Sequence, residues 1–362
     1  MKRAGRLLLA GALGAVFAVV VMAFNSWLAW NRPVTPPPGT PPVVEVRVAP
    51  GTSLTSVVAD LQRRGLLRHG RVLLAVARVT GRDQDVHVGR YLMPAGVPPR
   101  EILAILTSRR PVPVAVTLPE GLEAGVLAAI LADTLDLRAD DILAAADSLV
   151  QAAAPRLMTA AQRERLAALT RPDARPGGAP LHWCEGYLAP DTYHFAEGVD
   201  AVAVASAAVS LQLARLDSAA TAATDRTPHE LLTLASIVEA EARLAHERAR
   251  IAAVYVNRLD RGMRLEADPT VAFWLGKRGE RLLYRDLEVD SPYNTYRRGG
   301  LPPGPIGAPG RACLQAAARP DAASDHLFFV ADGDGGHVFS RTADEHRRAV
   351  ARYRELMRQR RR

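Results

Sequence analysis

Two carboxylates, Glu239 and Glu241, close the apolar run in PHELLTLASIVEAEAR (residues 228–243). A carboxyl beside an apolar wall has its charged form disfavoured, so its pKa rises and it can hold a proton near neutral pH. General-acid chemistry asks for such a group. Thr227-Pro228-His229-Glu230 has the form of a capping box with proline at the first helical position, which predicts that a helix starts there. Leu231, Leu234, Ala235, Val238 and Ala242 then recur as one apolar stripe. At roughly 100° per residue, Glu239 falls about 80° from the centre of that stripe, on the edge of the buried face. Glu241 falls on the opposite edge, about 160° from Glu239, so the two carboxylates do not share a site. On the residues alone, Glu239 at the stripe's edge is a candidate acid/base. The competing reading is a solvated helix-face glutamate, the usual state of this residue type.

Other groups carry less. Cys184 and Cys313 are the only cysteines in 362 residues and neither lies in a CxxC pair, so a cysteine-based metal framework is not expected. One disulfide and two buried thiols both fit. DGDGG at 332–336 has the start of a calcium loop, but His337 stands where that loop needs glycine and Ala343 where it needs glutamate, so calcium is rejected. His337 could orient a ligand, with a hairpin hydrogen bond as the plainer role. No metal or cofactor is expected. The net charge is +8, partly placed at the two chain ends. Without a zinc finger, a glycine-rich phosphate loop or basic-aromatic interleaving, nucleic acid is not the expected partner.

The elements that must position these groups begin with an anchor. Leu7 to Trp30 is free of charge and would span roughly 36 Å as a helix, enough for a hydrocarbon core of about 30 Å. Lys2, Arg3 and Arg6 precede it, which predicts a cytoplasmic N-terminus. The run is longer than the apolar region of a cleaved signal peptide. Six prolines between Pro33 and Pro42 predict a semi-rigid polyproline spacer. Val44, Val46 and Val48 alternate with Glu45 and Arg47 as in a strand. Pro50-Gly51-Thr52-Ser53 predicts a turn into a helix with Leu54, Val57, Val58 and Leu61 as its apolar stripe and Gly65 as its stop. Further helices are expected over 71–79 and 99–107, with strands over 88–93 and 112–118. Residues 126–170 read as largely helical, and 172–180 as a loop. A helix after Glu241 should end at Gly262. The proline-rich stretch 291–310 cannot be a regular element, and 326–341 reads as a hairpin.

Five stretches in order carry a family resemblance: EGYLAPDTYHF (185–195), LASIVEAEA (234–242), VYVNRLDRGMRLEADPTVAFWLG (254–276), SPYNTYRRGGLPPGPIGAPG (291–310) and FFVADGDGGHVFSRTADEHRRAV (328–350). Over roughly 44–355 the chain resembles the endolytic murein transglycosylases of the lytic transglycosylase G type. Some positions depart from the family pattern. Ala240 and Ala242 stand where polar groups are usual, Ala189 replaces a larger apolar residue, and Phe273-Trp274 replaces Tyr-Gly. The first of the two strands and the helices after it also resemble a LysM-type glycan-binding module, although a plain structural spacer has the same pattern.

The resemblance implies an α+β fold with a single N-terminal transmembrane helix, a small LysM-like α+β module and a mixed α+β catalytic domain. The expected divisions are 1–6 (cytoplasmic tail), 7–30 (membrane helix), 31–42 (linker), 43–110 (module), 111–355 (catalytic domain) and 356–362 (basic tail). It implies a single-pass inner-membrane enzyme that cleaves MurNAc–GlcNAc bonds inside nascent peptidoglycan strands, leaves 1,6-anhydroMurNAc ends, limits strand length and works beside cell-wall synthesis proteins. The family's catalytic glutamate carries onto Glu239. Glu185, Asp191, Tyr193, Asn257, Arg258, Asp268, Thr270, Tyr293, Asn294 and Tyr296 are candidates to grip sugars and stem peptides, and each could instead stitch loops together. Hydrolases add a second carboxylate, which a lytic enzyme does not require. A muramidase hydrolysing the same bond and a non-catalytic wall-binding scaffold are the competing functions.

Overall fold

The computed structural model describes residues 2–49, 51–108, 112–170, 174–175, 180–220 and 225–360. Pro50 of the expected turn, most of the expected 172–180 loop, the boundary at 110–111 and Arg361–Arg362 of the basic tail lie outside the described residues. The chain divides into two compact units, 1–115 with 194–199, and 116–193 with 200–362.

In the first unit, α1 (Lys2–Asn31) contains a 19-residue stretch, Leu13–Asn31, with mean hydropathy 1.8, long and apolar enough to cross a membrane. From Leu13 to Leu28 its side chains are exposed, Phe17 and Trp27 among them. Its last turn is tied down: Trp30 packs on the neighbouring core, and Arg100 donates to the Asn31 side chain at 2.7 Å. The proline-rich stretch does not stand clear as the spacer reading expected. It runs back along the unit, with Pro37 against Gly65 and the Pro42 carbonyl accepting from the Ala95 N–H at 2.9 Å. Strand β1 (Val43–Val48) pairs antiparallel with β2 (Gly89–Pro94), placing Val44 opposite Met93 and Val46 opposite Tyr91. Between them lie α2 (Leu54–Arg63) and α3 (Gly70–Val79), and α4 (Pro99–Thr107) follows β2. Ser53 caps α2, and Gly65, with φ +71°, ends it. The expected stripe Leu54, Val57, Val58 and Leu61 is buried, with Leu73, Met93, Ile102 and Leu106 in the same core.

Strand β3 is shorter than expected, Val114–Thr117, and forms a two-stranded sheet with β4 (Thr192–Phe195). The remaining elements of the second unit are α5 (Ala124–Leu135), α6 (Ala139–Leu157), α7 (Ala160–Leu169), α8 (Ala201–Ala220), α9 (Pro228–Glu241), α10 (Arg248–Asp260), α11 (Asp268–Leu275), α12 (Arg311–Ala318), the hairpin β5 (Phe328–Ala331) with β6 (His337–Ser340), and α13 (Ala343–Gln359). Both bonds of the α9 capping box form: the Glu230 N–H to Thr227 Oγ1 at 3.2 Å, and the Thr227 N–H to Glu230 Oε2 at 2.8 Å. The segment after Glu241 is a short 3₁₀ turn leading into α10, which ends before Gly262 at φ +65°.

The single apolar stripe expected of α9 is corrected. Helices α8, α10, α11 and α12 all pack on it, and His229 and every residue from Leu231 to Val238 are buried. Its polar positions are satisfied internally. Thr233 Oγ1 donates to the His229 carbonyl, Ser236 Oγ donates to Thr233 and accepts the Ile306 N–H at 3.1 Å, and His229 bridges Tyr187 and the Pro303 carbonyl. The loop 291–310 has no helix or strand, as its prolines demand, yet residues 302–310 are all buried. Gln212 donates to the Pro309 carbonyl, and Gly121 and Ala308 exchange backbone bonds with this loop and the chain before α5. Cys184 and Cys313 are buried free thiols.

Candidate active site

Burial through Val238 leaves Glu239 and Glu241 as the carboxylates at the C-terminal end of α9, each partly exposed. They enter different surroundings, as their angular separation requires. Glu239 Oε2 accepts the Gly310 N–H at 2.9 Å, and its Cγ lies beside Gly121. It also faces Cys313, whose thiol is pushed up by burial and then by this negative neighbour. Glu239 thus sits where the buried proline-rich loop runs into α12.

Glu241 lines a cavity of about 480 Å³ with Tyr255, Arg258, Glu266, Asp268, Tyr296 and His337. Its carboxyl is pushed up to about 7, chiefly by burial; the Tyr255 hydrogen bond opposes this, Asp268 adds to it, and His337 draws it back. Tyr255 Oη donates to Glu241 Oε1 at 3.0 Å, and its ring meets Phe329 edge-on. Across the cavity Tyr296 Oη donates to Asp268 Oδ1 at 2.6 Å. Burial, then the Asp268 bond, pushes the Tyr296 phenol up, so it stays a donor. His337 belongs to the rim. Glu247, buried, accepts from the His337 N–H at 2.9 Å and bonds its Nδ1 at 2.8 Å. The hairpin bond expected for His337 is therefore made to Glu247, and its turn is closed instead by Asp332, which accepts from Asp334 and Gly336.

Of the sequence candidates, Arg258, Asp268 and Tyr296 meet in this cavity. Arg258 is also a brace, donating to the carbonyls of Leu327 and Leu265 and pairing with Glu266. The others serve the scaffold. Asn257 donates to the Ser324 and His326 carbonyls, which hold the start of the hairpin. Thr270 bonds Ala267 and Thr295. Asn294 donates to Leu287 and Val289 and accepts the Tyr296 N–H at 3.0 Å, so it aims Tyr296 without entering the cavity. Tyr293 is buried between Trp274 and Phe273. Tyr193 donates to the Ala189 carbonyl. Glu185 accepts the Ala124 N–H at the start of α5, and burial raises its carboxyl to about 8. Asp191 pairs with Arg215 beside a different cavity.

Sequence reasoning missed Tyr255 and set Glu241 aside. The i, i+2 spacing signalled that the carboxylates diverge, but not which one enters a cavity. Tyr255 carried no signal of its own, because it sits in the apolar periodicity of α10.

A family model described as YceG-like matches residues 46–352. The endolytic murein transglycosylase of Bacillus subtilis is 30% identical over 314 residues, covering 86% of this chain and 84% of that protein. The protein of the same name from Streptococcus pneumoniae is 28% identical over 331 residues, 58% of its own length. The crystal structure of a yceG-like protein from Listeria monocytogenes superposes with a TM-score of 0.54 at 29% identity, over 85% of this chain and 98% of that one. With most of its length matched by the family model and by relatives that share one name, the chain belongs to the YceG-like family of endolytic murein transglycosylases.

Proposed function

We propose that this protein is a membrane-anchored lytic transglycosylase that cuts MurNAc–GlcNAc bonds within nascent peptidoglycan strands, with Glu241 as the group that gives and recovers the proton. One observation carries the choice of residue: of the two carboxylates ending α9, Glu241 lies in a polar cavity with its carboxyl raised to about 7. An acid of that pKa is half protonated at neutrality, the state a general acid needs. Glu239, the carboxylate expected from the family resemblance, has one oxygen committed to the Gly310 N–H and is read here as a brace for the loop entering α12.

Protonated Glu241 donates to the glycosidic oxygen as its bond to C1 breaks. The C6 hydroxyl of the same MurNAc closes on C1, and its proton passes back to the Glu241 carboxylate. The product is a 1,6-anhydroMurNAc end; no water enters and the acid is restored. Asp268, oriented by Tyr296, supplies negative charge toward the electron-poor C1.

Asp268 also favours a second reading. A second carboxylate in the cavity beside the acid is what a hydrolase uses. Mass spectrometry of the products from uncrosslinked strands separates the two, because an anhydro end is one water lighter than a reducing end. A wild-type enzyme in a membrane that never shortens strands would leave the scaffold reading instead.

Helix α1 supports a single-pass anchor, oriented by Lys2, Arg3 and Arg6 with the N-terminus in the cytoplasm and the catalytic domain, 111–355, outside the inner membrane. Limiting of strand length beside cell-wall synthesis proteins follows from that placement. The order β1-α2-α3-β2, with its antiparallel strand pair, supports a LysM-like glycan-binding role for 43–110.

A further inference from the structure

Another cavity of the second unit, about 810 Å³, is lined by neither carboxylate of α9. It is bordered by α8, the start of α10 and α12, and four arginines line it: Arg215, Arg248, Arg311 and Arg319. Arg215 is committed to Asp191 and to the Pro190 carbonyl. Arg248, Arg311 and Arg319 form no ion pair among the described residues. Arg248 Nε is buried and has no hydrogen-bond partner. A buried charged donor left unpaired costs more than the hydrogen bond it lacks, and an anion in the cleft would relieve it. Arg311 and Gln315, at i and i+4, share one face of α12, Arg319 follows directly after the helix, and Cys313, Leu314 and Ala317 are buried.

We infer that this cleft binds the stem peptides of the glycan strand through their carboxylates, with the half-buried Arg248 as the inner contact and the exposed Arg311 and Arg319 as the outer ones. The lining favours a peptide over a polyphosphate. Between the arginines the walls are mostly alanine and leucine, Gln315 offers an amide, and Asp191 puts a carboxylate on the rim that repels a dense phosphate and accepts a peptide N–H or amine. The Gly310 N–H just before α12, which a phosphate could otherwise take, is occupied by Glu239. A stem held here would fix the register of the strand while its sugars reach Glu241. The inference rests on the peptidoglycan reading and adds that stems are required for tight binding.

The test uses the full chain in detergent micelles, with Glu241→Gln introduced to prevent turnover. Uncrosslinked glycan oligomers are compared with the same oligomers stripped of stems by an amidase. Stem-bearing strands should bind about tenfold or more tightly than stripped ones. That preference should shrink with added salt, collapse in Arg248→Gln and in the exposed double variant Arg311→Gln/Arg319→Gln, and return in part in Arg248→Lys. Equal binding of stripped strands, or an intact preference in the double variant, overturns the inference. Displacement of stem-bearing strands by inorganic pyrophosphate at concentrations where acetate does nothing also overturns it, in favour of a phosphate site. Cleavage of stem-bearing strands by the chain with Glu241 intact is scored separately: no product there counts against the catalytic reading and leaves the binding comparison to judge the cleft.

Discussion

Exchanging Glu241 for glutamine removes one proton and little else. Glutamine Oε1 can still accept from Tyr255 Oη, which sits 3.0 Å from the native oxygen, so the cost to folding should stay within about 1 kcal/mol. The catalytic cost should be large. A positioned general acid contributes about 10²–10⁴-fold, and a sugar alkoxide is a poor leaving group, so kcat should fall about a thousandfold, or about 4 kcal/mol in activation free energy. The same cavity sets the pH profile. With the Glu241 carboxyl near 7, about half the enzyme carries the required proton at pH 7 and about a tenth at pH 8. Wild-type turnover should therefore decline about tenfold per unit on the alkaline side, and the residual activity of Glu241→Gln should lose that limb. Glu239→Gln keeps an acceptor for the Gly310 N–H and should stay within about threefold of wild type. The assay is release of shortened strands from uncrosslinked glycan, followed from pH 5 to 9 with circular dichroism as the folding control. A folded Glu239→Gln enzyme that is dead, beside a Glu241→Gln enzyme that still cuts, would refute the reasoning and return the acid to Glu239.

Three more outcomes follow from particular contacts. Tyr296→Phe frees Asp268 from its 2.6 Å bond and should lower kcat about tenfold with KM little changed, measured by steady-state cleavage of oligomers of fixed length. Glu185 has its carboxyl raised to about 8 by burial, so the folded state holds that proton more tightly than the unfolded chain does. Stability should then fall with pH from the unfolded value near 4.5 up to about 8, by at most about 1.4 kcal/mol per pH unit, and Glu185→Gln should flatten that slope in denaturant melts. Gly186 has φ +79°, and a Cβ there would meet Pro305 Cβ at 2.6 Å, so Gly186→Ala should cost about 2 kcal/mol or more, read as a lowered urea midpoint.

Features written in a few adjacent residues were legible in the sequence. The Thr227–Glu230 capping box, the Ser53 cap, the stops at Gly65 and Gly262, and the Leu54–Leu61 stripe are local signals, and each closes through bonds or burial within one or two turns. The refusal of 291–310 to form regular structure was legible because proline lacks a donor and fixes φ. Its burial was not, because no nearby residue announces that Gln212, Ser236 and His229 will supply partners from other elements. The linker shows the same limit. Six prolines predict stiffness, but what the stiff segment rests on is decided by Gly65 and by Ala95 at the start of the turn after β2.

The site turns on a related distinction between direction and depth. Helical periodicity separates Glu239 from Glu241 by about 160° and so assigns them to different neighbours. It does not say which neighbour makes a cavity. The stripe Leu231, Leu234, Ala235, Val238 and Ala242 was read as the one dry face, which left Glu239 on its border. The side carrying His229 and Ser236 is dry as well: Ser236 accepts the Ile306 N–H and His229 bonds the Pro303 carbonyl of the 302–310 loop, while Thr233 bonds back to the His229 carbonyl. Once α9 is dry on all sides as far as Val238, a carboxylate's chemistry depends on what its oxygens meet beyond the helix end. Glu239 meets the Gly310 N–H and faces Cys313, whereas Glu241 meets Tyr255 in a cavity also lined by Asp268, Tyr296 and His337. A general acid must keep its carboxyl raised and still face that cavity, and at the end of α9 Glu241 satisfies both conditions.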